Sequence, residues 1–143
     1  MPTRVEWQQL AECRIEDARA HLDPAVGRWA AAYYLIGYAV ECGLKSCVLA
    51  RIAAHPEDIY ENKRFSLDAW THDSEILLKL AKLLAMRDAD VSVNSNLSDN
   101  WQTLRSWTEE ARYKQTSRAN AERLFDAATD AKDGVMQWIR VHW

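Results

Sequence analysis

Four polar residues, Tyr34, Tyr38, Glu41 and Lys45, interrupt the most apolar stretch of the chain, YYLIGYAVECGLKSCVLA. Steps of four, three and four put them on one face of any helix they occupy. Glu41 stands four residues before Lys45, the order that favours a helical ion pair. At a surface such a pair contributes only about 0.3–0.5 kcal/mol. Within apolar sequence an unpartnered charge is costly, so each must meet a partner or a ligand. The stripe therefore has two readings: a Glu–Lys or Glu–Arg clasp holding two helices, or the wall of a polar groove.

A second group is Thr71-His72-Asp73 at a helix start. His72 can act as a base, contact a phosphate or contribute to capping, and Thr and Asp are common caps in their own right. A third group is Arg105 and Arg112, seven apart, with Tyr113 adjoining. Lys114 and Arg118 extend it into a small basic cluster. Such a cluster is either a solvated helix end with cations favoured by the dipole, or a contact for phosphate or RNA.

Other chemistry is missing. There is no Gly-rich phosphate loop, HExxH, CxxC pair or serine elbow, and His21, His55, His72 and His142 have no short metal-binding spacing. Neither a metal nor a cofactor is expected. Cys13, Cys42 and Cys47 form an odd set, read as buried, reduced thiols of a cytoplasmic protein. The formal charge of −3 gives no general pull toward nucleic acid, so any such binding must be local. The N-terminus lacks the apolar core of a signal peptide. Glu41 and Lys45 in the long apolar run would each cost about 2.5–3.5 kcal/mol at a bilayer centre, which favours a buried core helix over a membrane span.

The elements that must position these groups are helical. Gly (4) and Pro (3) are too scarce for many short strands, and 143 residues with 48% hydrophobic content suit one domain with a continuous core. Thr3-x-x-Glu6 fits a capping box for a first helix whose buried face is Trp7, Ala11, Ile15, Ala18 and Leu22. Asp23-Pro24 is expected to end it and open a second helix to about Ala54, apolar nearly all round. Residues 55–70 read as a long loop. Thr71 is expected to cap a third helix to about Arg87, followed by a polar break. Ser98 or Asp99 is expected to cap a fourth helix carrying Leu97, Trp101 and Leu104. A fifth runs from Ser117 to the end, with Leu124, Phe125, Val135, Trp138 and Ile139 in its stripe. The whole is an all-α, antiparallel, up-and-down bundle of four to five helices in one domain. Seven tryptophans are a heavy load for this size; most can fill the core and some are expected to cover a partner surface, with the helix-two face left after the core is filled as a dimer seam.

AAYYLIGYAVECGLKSCVLA in helix two, THDSEILLKLAKL in helix three and WTEEARY before the last helix resemble the HEPN (higher eukaryotes and prokaryotes nucleotide-binding) domain. The resemblance implies an antiparallel helical bundle, a homodimer and a cleft along the dimer seam. It also implies a place among metal-independent RNases, non-catalytic partners of small nucleotidyltransferases, or nucleotide-binding modules, in toxin–antitoxin or defence settings. RNases of the family carry Arg-x4–6-His late in the bundle, where His moves protons and Arg stabilises phosphate charge. Here no His follows Arg105 or Arg112 until His142. Arg14-x6-His21 keeps the spacing but falls in helix one, and seven residues separate Arg64 from His72. The expectation is a non-catalytic dimeric module binding nucleotide, RNA or a partner protein. Tyr38, Glu41, Lys45, His72, Asp73, Arg105, Arg112 and Tyr113 would line its groove. The alternatives are a divergent RNase using His72 with Arg64 or Arg112, and a structural adaptor that binds another protein through exposed tryptophans.

Overall fold

The computed structural model describes residues 1–143, which form nine α-helices, one 3-10 turn and no strand. Helix α1 spans Arg4–Leu22 and opens on the expected capping box. Thr3 Oγ1 accepts from Glu6 N at 3.2 Å, and Glu6 Oε2 accepts from Thr3 N at 2.7 Å. Its stripe buries Trp7, Ala11, Ile15 and Ala18.

Helix α2 spans Trp29–Ala54 and starts five residues later than Pro24. Asp23 does not cap it; its Oδ1 accepts from Ala25 N at 2.9 Å in a turn. Gly27, at φ +61°, then redirects the chain. Every residue of α2 from Ala39 to Val48 is buried. α1 lies along one side of it, and four later segments, Ser74–Leu80, Glu109–Tyr113, Arg118–Thr129 and Val135–His142, cover others. This coverage leaves Tyr33, Tyr34, Leu35 and Tyr38 as its half-buried edge.

Residues 55–70 are not a plain loop. They hold two short helices, α3 (Glu57–Glu61) and α4 (Phe65–Asp68). Arg51 at the end of α2 grips Asp58 through Nε–Oδ2 at 2.7 Å and Nη2–Oδ1 at 3.3 Å. Phe65, 5% exposed, plugs the segment into the core.

The expected third helix divides into α5 (Ser74–Leu80) and α6 (Leu84–Ser92). Lys82 adopts φ +58°, a left-handed position that no glycine announces. The expected polar break after Arg87 narrows to Val93 and Asn94, because the polar residues up to Ser92 stay helical while Arg87 continues the buried stripe. Helix α7 (Ser95–Arg105) is capped by Asn94, whose Oδ1 accepts from Leu97 N at 3.1 Å, not by Ser98 or Asp99. A 3-10 turn (Glu109–Tyr113) follows.

The expected fifth helix also divides, into α8 (Arg118–Thr129) and α9 (Val135–His142). Asp130 Oδ2 accepts from Lys132 N at 3.2 Å and Asp133 N at 2.7 Å, closing a turn between them. A Cβ at Gly134 would lie 2.5 Å from Asp130 O, so that turn requires glycine. Arg140 of α9 clasps Glu12 of α1 in a fork at 2.7 and 2.9 Å. No helix is long and apolar enough to cross a membrane.

Of the tryptophans, Trp7, Trp101 and Trp138 are buried, and Trp101 meets Trp138 edge-on at 5.7 Å between centroids. Trp70 is 70% exposed. Trp107 rests directly on α2: a Cβ at Gly37 would sit 2.0 Å from its Cε2. A mid-helix glycine costs about 0.5–1 kcal/mol relative to alanine, and the indole's close approach accounts for it. Gly37→Ala is therefore expected to destabilise the fold by about 1–3 kcal/mol despite the better helix propensity. Urea denaturation measures the loss, and a red-shifted tryptophan emission would report the displaced indole.

Candidate functional site

The polar stripe of α2 turns inward. Glu41 and Lys45 are 3% and 8% exposed, and Lys45 Nζ reaches Glu41 Oε1 at 2.6 Å. The ammonium also lies 5.2 Å from the centre of the Trp7 ring on α1. The second carboxylate oxygen, Oε2, meets His72 Nδ1 at 2.9 Å. One carboxylate thus joins α2 to the segment that leads into α5. The expected Glu–Lys pair is present but lies within α2, and the link to a second segment is made by His72 rather than by a lysine or arginine. A carboxylate can only accept, so Nδ1 carries the proton in this bond. The His72 side chain is 49% exposed.

Tyr38 and Cys42 stand beside this clasp. Burial, reinforced by the neighbouring Cys42, pushes the Tyr38 hydroxyl up to about 12. Burial, reinforced by the Glu41 charge, pushes the Cys42 thiol up to about 12 as well. Burial does the same to Cys47. Neither thiol is a nucleophile at neutral pH. Cys13, expected to be buried, is exposed, on the outer face of α1.

His72 opens onto a cleft of about 450 Å³ walled by Thr71, Asp73, Glu75, Arg105, Trp107 and Thr108, among others. Asp73 lines it but is held as the α5 cap, its Oδ1 accepting from Glu75 N at 2.8 Å and Ile76 N at 3.3 Å. The expected cap, Thr71, instead accepts from Asp73 N at 3.0 Å. A smaller cavity of about 150 Å³, holding Tyr33, Lys114, Gln115 and Asn120, shares Thr108 with the cleft.

Arg112 and Tyr113 do not join this group. The interval of seven would put Arg112 on the same helix face as Arg105, but α7 ends at Arg105. The 3-10 turn buries Ala111 and directs its neighbours outward. The Arg112 guanidinium lies 4.8 Å over the Tyr113 ring, which is 76% exposed. The rest of the basic cluster is paired: Lys114 Nζ with Glu110 at 3.9 Å and Arg118 Nε with Glu122 at 2.6 Å. Arg64 lies outside the cleft and faces Asp68 at 3.8 Å. Arg14 pairs with Asp17 on α1.

The sequence reading missed a second network. Arg87, 1% exposed, binds Glu75 Oε2 at 2.6 Å and Asp88 Oδ1 at 2.9 Å, and stacks 4.9 Å over Trp101. Glu75 Oε1 meets Arg105 at 3.2 Å. The available signal was spacing: Leu80, Leu84, Arg87 and Val91 step by four, three and four, so Arg87 lies on the apolar stripe. Partial burial raises the Glu75 pKa, but bonds and charges from Arg87 and Arg105 outweigh it and leave the carboxyl below its usual 4.5. No group of three or more His, Cys, Asp or Glu is placed to hold a metal.

No family model, curated protein or solved structure matches the chain.

Two tests address these networks. Glu41→Ala leaves Lys45 buried without its counter-ion and is expected to cost about 3–5 kcal/mol, while Glu41→Leu combined with Lys45→Met recovers most of it. A urea double-mutant cycle measures both. If the single variant matches wild type, the clasp contributes nothing. Because the Glu75 carboxyl titrates below its unfolded value, its contribution is complete above pH 4.5 and drains as pH falls through the lowered value. Glu75→Gln should flatten that acid limb of the stability–pH curve.

Proposed function

We propose that the chain is a HEPN-like module, an antiparallel up-and-down helical bundle that binds a phosphate-bearing ligand without turning it over. A nucleotide or a stretch of single-stranded RNA is the ligand class. One observation carries the reading: a buried carboxylate holds His72 in the lining of a cleft that Arg105 also lines. Glu41 satisfies Lys45 and fixes the imidazole, so those two charges position the site and are not offered to the ligand. Arg105 keeps donors beyond its single contact with Glu75 and supplies the fixed cation. Thr71 and Thr108 add hydroxyls. Of the acids lining the cleft, Asp73 and Glu75 are engaged by the α5 cap and by two arginines, which limits their repulsion of an anion, while Glu109 has no ion pair. The shared Thr108 lets a strand run on toward Lys114, where the exposed Arg112–Tyr113 stack offers a platform for a base.

On this reading the module works as a cytoplasmic homodimer, and the resemblance adds a small nucleotidyltransferase as a candidate partner in a toxin–antitoxin or defence setting. Sedimentation equilibrium tests the dimer.

The binding claim predicts that fluorescence anisotropy with a labelled single-stranded RNA shows saturable, salt-sensitive binding. Arg105→Ala and His72→Ala are expected to weaken it about tenfold, near 1.4 kcal/mol, with the melting temperature little changed in Arg105→Ala and lowered in His72→Ala, which strips Glu41 Oε2 of its partner. Equal affinity in well-folded variants would remove the cleft from the account.

A second reading, a metal-independent RNase, is favoured by one feature, the Glu41–His72 pair. A carboxylate on Nδ1 with Nε2 free is how a histidine base is held. Incubating tRNA and mRNA with the protein and a chelator decides it. Cleavage lost in His72→Ala would replace the binding reading with this one.

A further inference from the structure

The sharpest unexplained feature lies away from the cleft. Helices α3 and α4 and the outer side of α5 bound an open groove of about 530 Å³ that shares no residue with the His72 cleft. Its apolar floor is Phe65, Ile76 and Leu80. The same segment exposes Tyr60, Leu67 and Trp70 at 87%, 67% and 70%. So much aromatic and aliphatic surface in one short stretch is the mark of an interaction site.

The charges on the rim indicate the kind of partner. Asp58 is taken by Arg51, and Asp68 faces Arg64 at 3.8 Å. Lys79 and Lys82 line the groove without an ion pair, against one unpaired acid, Glu61. Lys82 is held in place by the left-handed turn between α5 and α6. The groove's unpaired charge is therefore cationic around an apolar floor. Ile76 and Leu80 are four residues apart, one turn of α5, matching the repeat of an amphipathic helix laid against it.

We propose that the groove between α3–α4 and α5 docks an amphipathic helix of a partner protein, apolar on one face and flanked by Asp and Glu. The probe is a surface-displayed library of short helices with apolar anchors at i, i+4 and i+7 and flanks drawn from Glu, Lys, Gln and Ser. Helices captured by the folded chain are expected to be rich in Glu at the flanks. Lys79→Glu combined with Lys82→Glu changes only exposed side chains. With circular dichroism and melting temperature unchanged, it should weaken those helices at least about tenfold and favour Lys-flanked ones. Ile76→Asp should abolish capture of both. The proposal is overturned if no helix is captured, if the captured helices show no acidic enrichment, or if the double reversal leaves their affinity intact. Self-association of the wild type that Ile76→Asp reverses in sedimentation would assign the groove to a second copy, and overturns it too.

Discussion

An ion pair in the middle of the greasiest helix constrains the rest of the molecule. Glu41 and Lys45 are both buried, so the fold must supply partners for what each leaves over. Lys45 finds the glutamate and the Trp7 ring; Glu41 finds the lysine and His72. Those contacts fix α1 and the approach to α5 against α2. An all-apolar α2 would pack as tightly or better, but it would leave no reason for His72 to stand where it does. The pair is thus a determinant of position more than of stability.

The same device appears twice. Glu75, in the first turn of α5, bridges Arg87 of α6 and Arg105 of α7, much as Glu41 bridges Lys45 and His72. A helix of seven residues has little stability of its own. Here its first turn is tied from α2 on one side and from α6 and α7 on the other, and Asp73 caps it. The cleft wall is consequently rigid in the free protein, the condition under which a few polar groups can select a ligand.

Much of this was legible in the sequence, and the failures are as specific as the successes. The capping box at Thr3 and Glu6 was readable because both partners are local. The stripe of α2 was readable because periodicity survives burial on every side. The Glu–Lys pair was foreseen in one of two readings, since a charge in apolar sequence has few alternatives. What failed were the interruptions. Lys82 takes a left-handed conformation with no glycine to signal it, and the Asp130–Gly134 turn lies within a stripe that continues on both sides. Apolar spacing cannot distinguish one long helix from two that share a face. Arg112 and Tyr113 were misplaced for the same reason, because Arg105 and Arg112 keep a helical interval across a chain that is no longer helical. Arg87 went unread because a charged residue on an apolar stripe looks like its end.

The fork between Arg140 and Glu12 joins residues 128 positions apart. The α1–α2 hairpin is local in sequence and can form while the rest of the chain is still being made. Two of the surfaces that cover α2 belong to α8 and α9, which are synthesised well after it. Until they arrive the nascent chain carries its most apolar helix partly uncovered, a state open to aggregation and to chaperone capture. The molecule's weakest moment is therefore during biosynthesis, before the finished bundle exists.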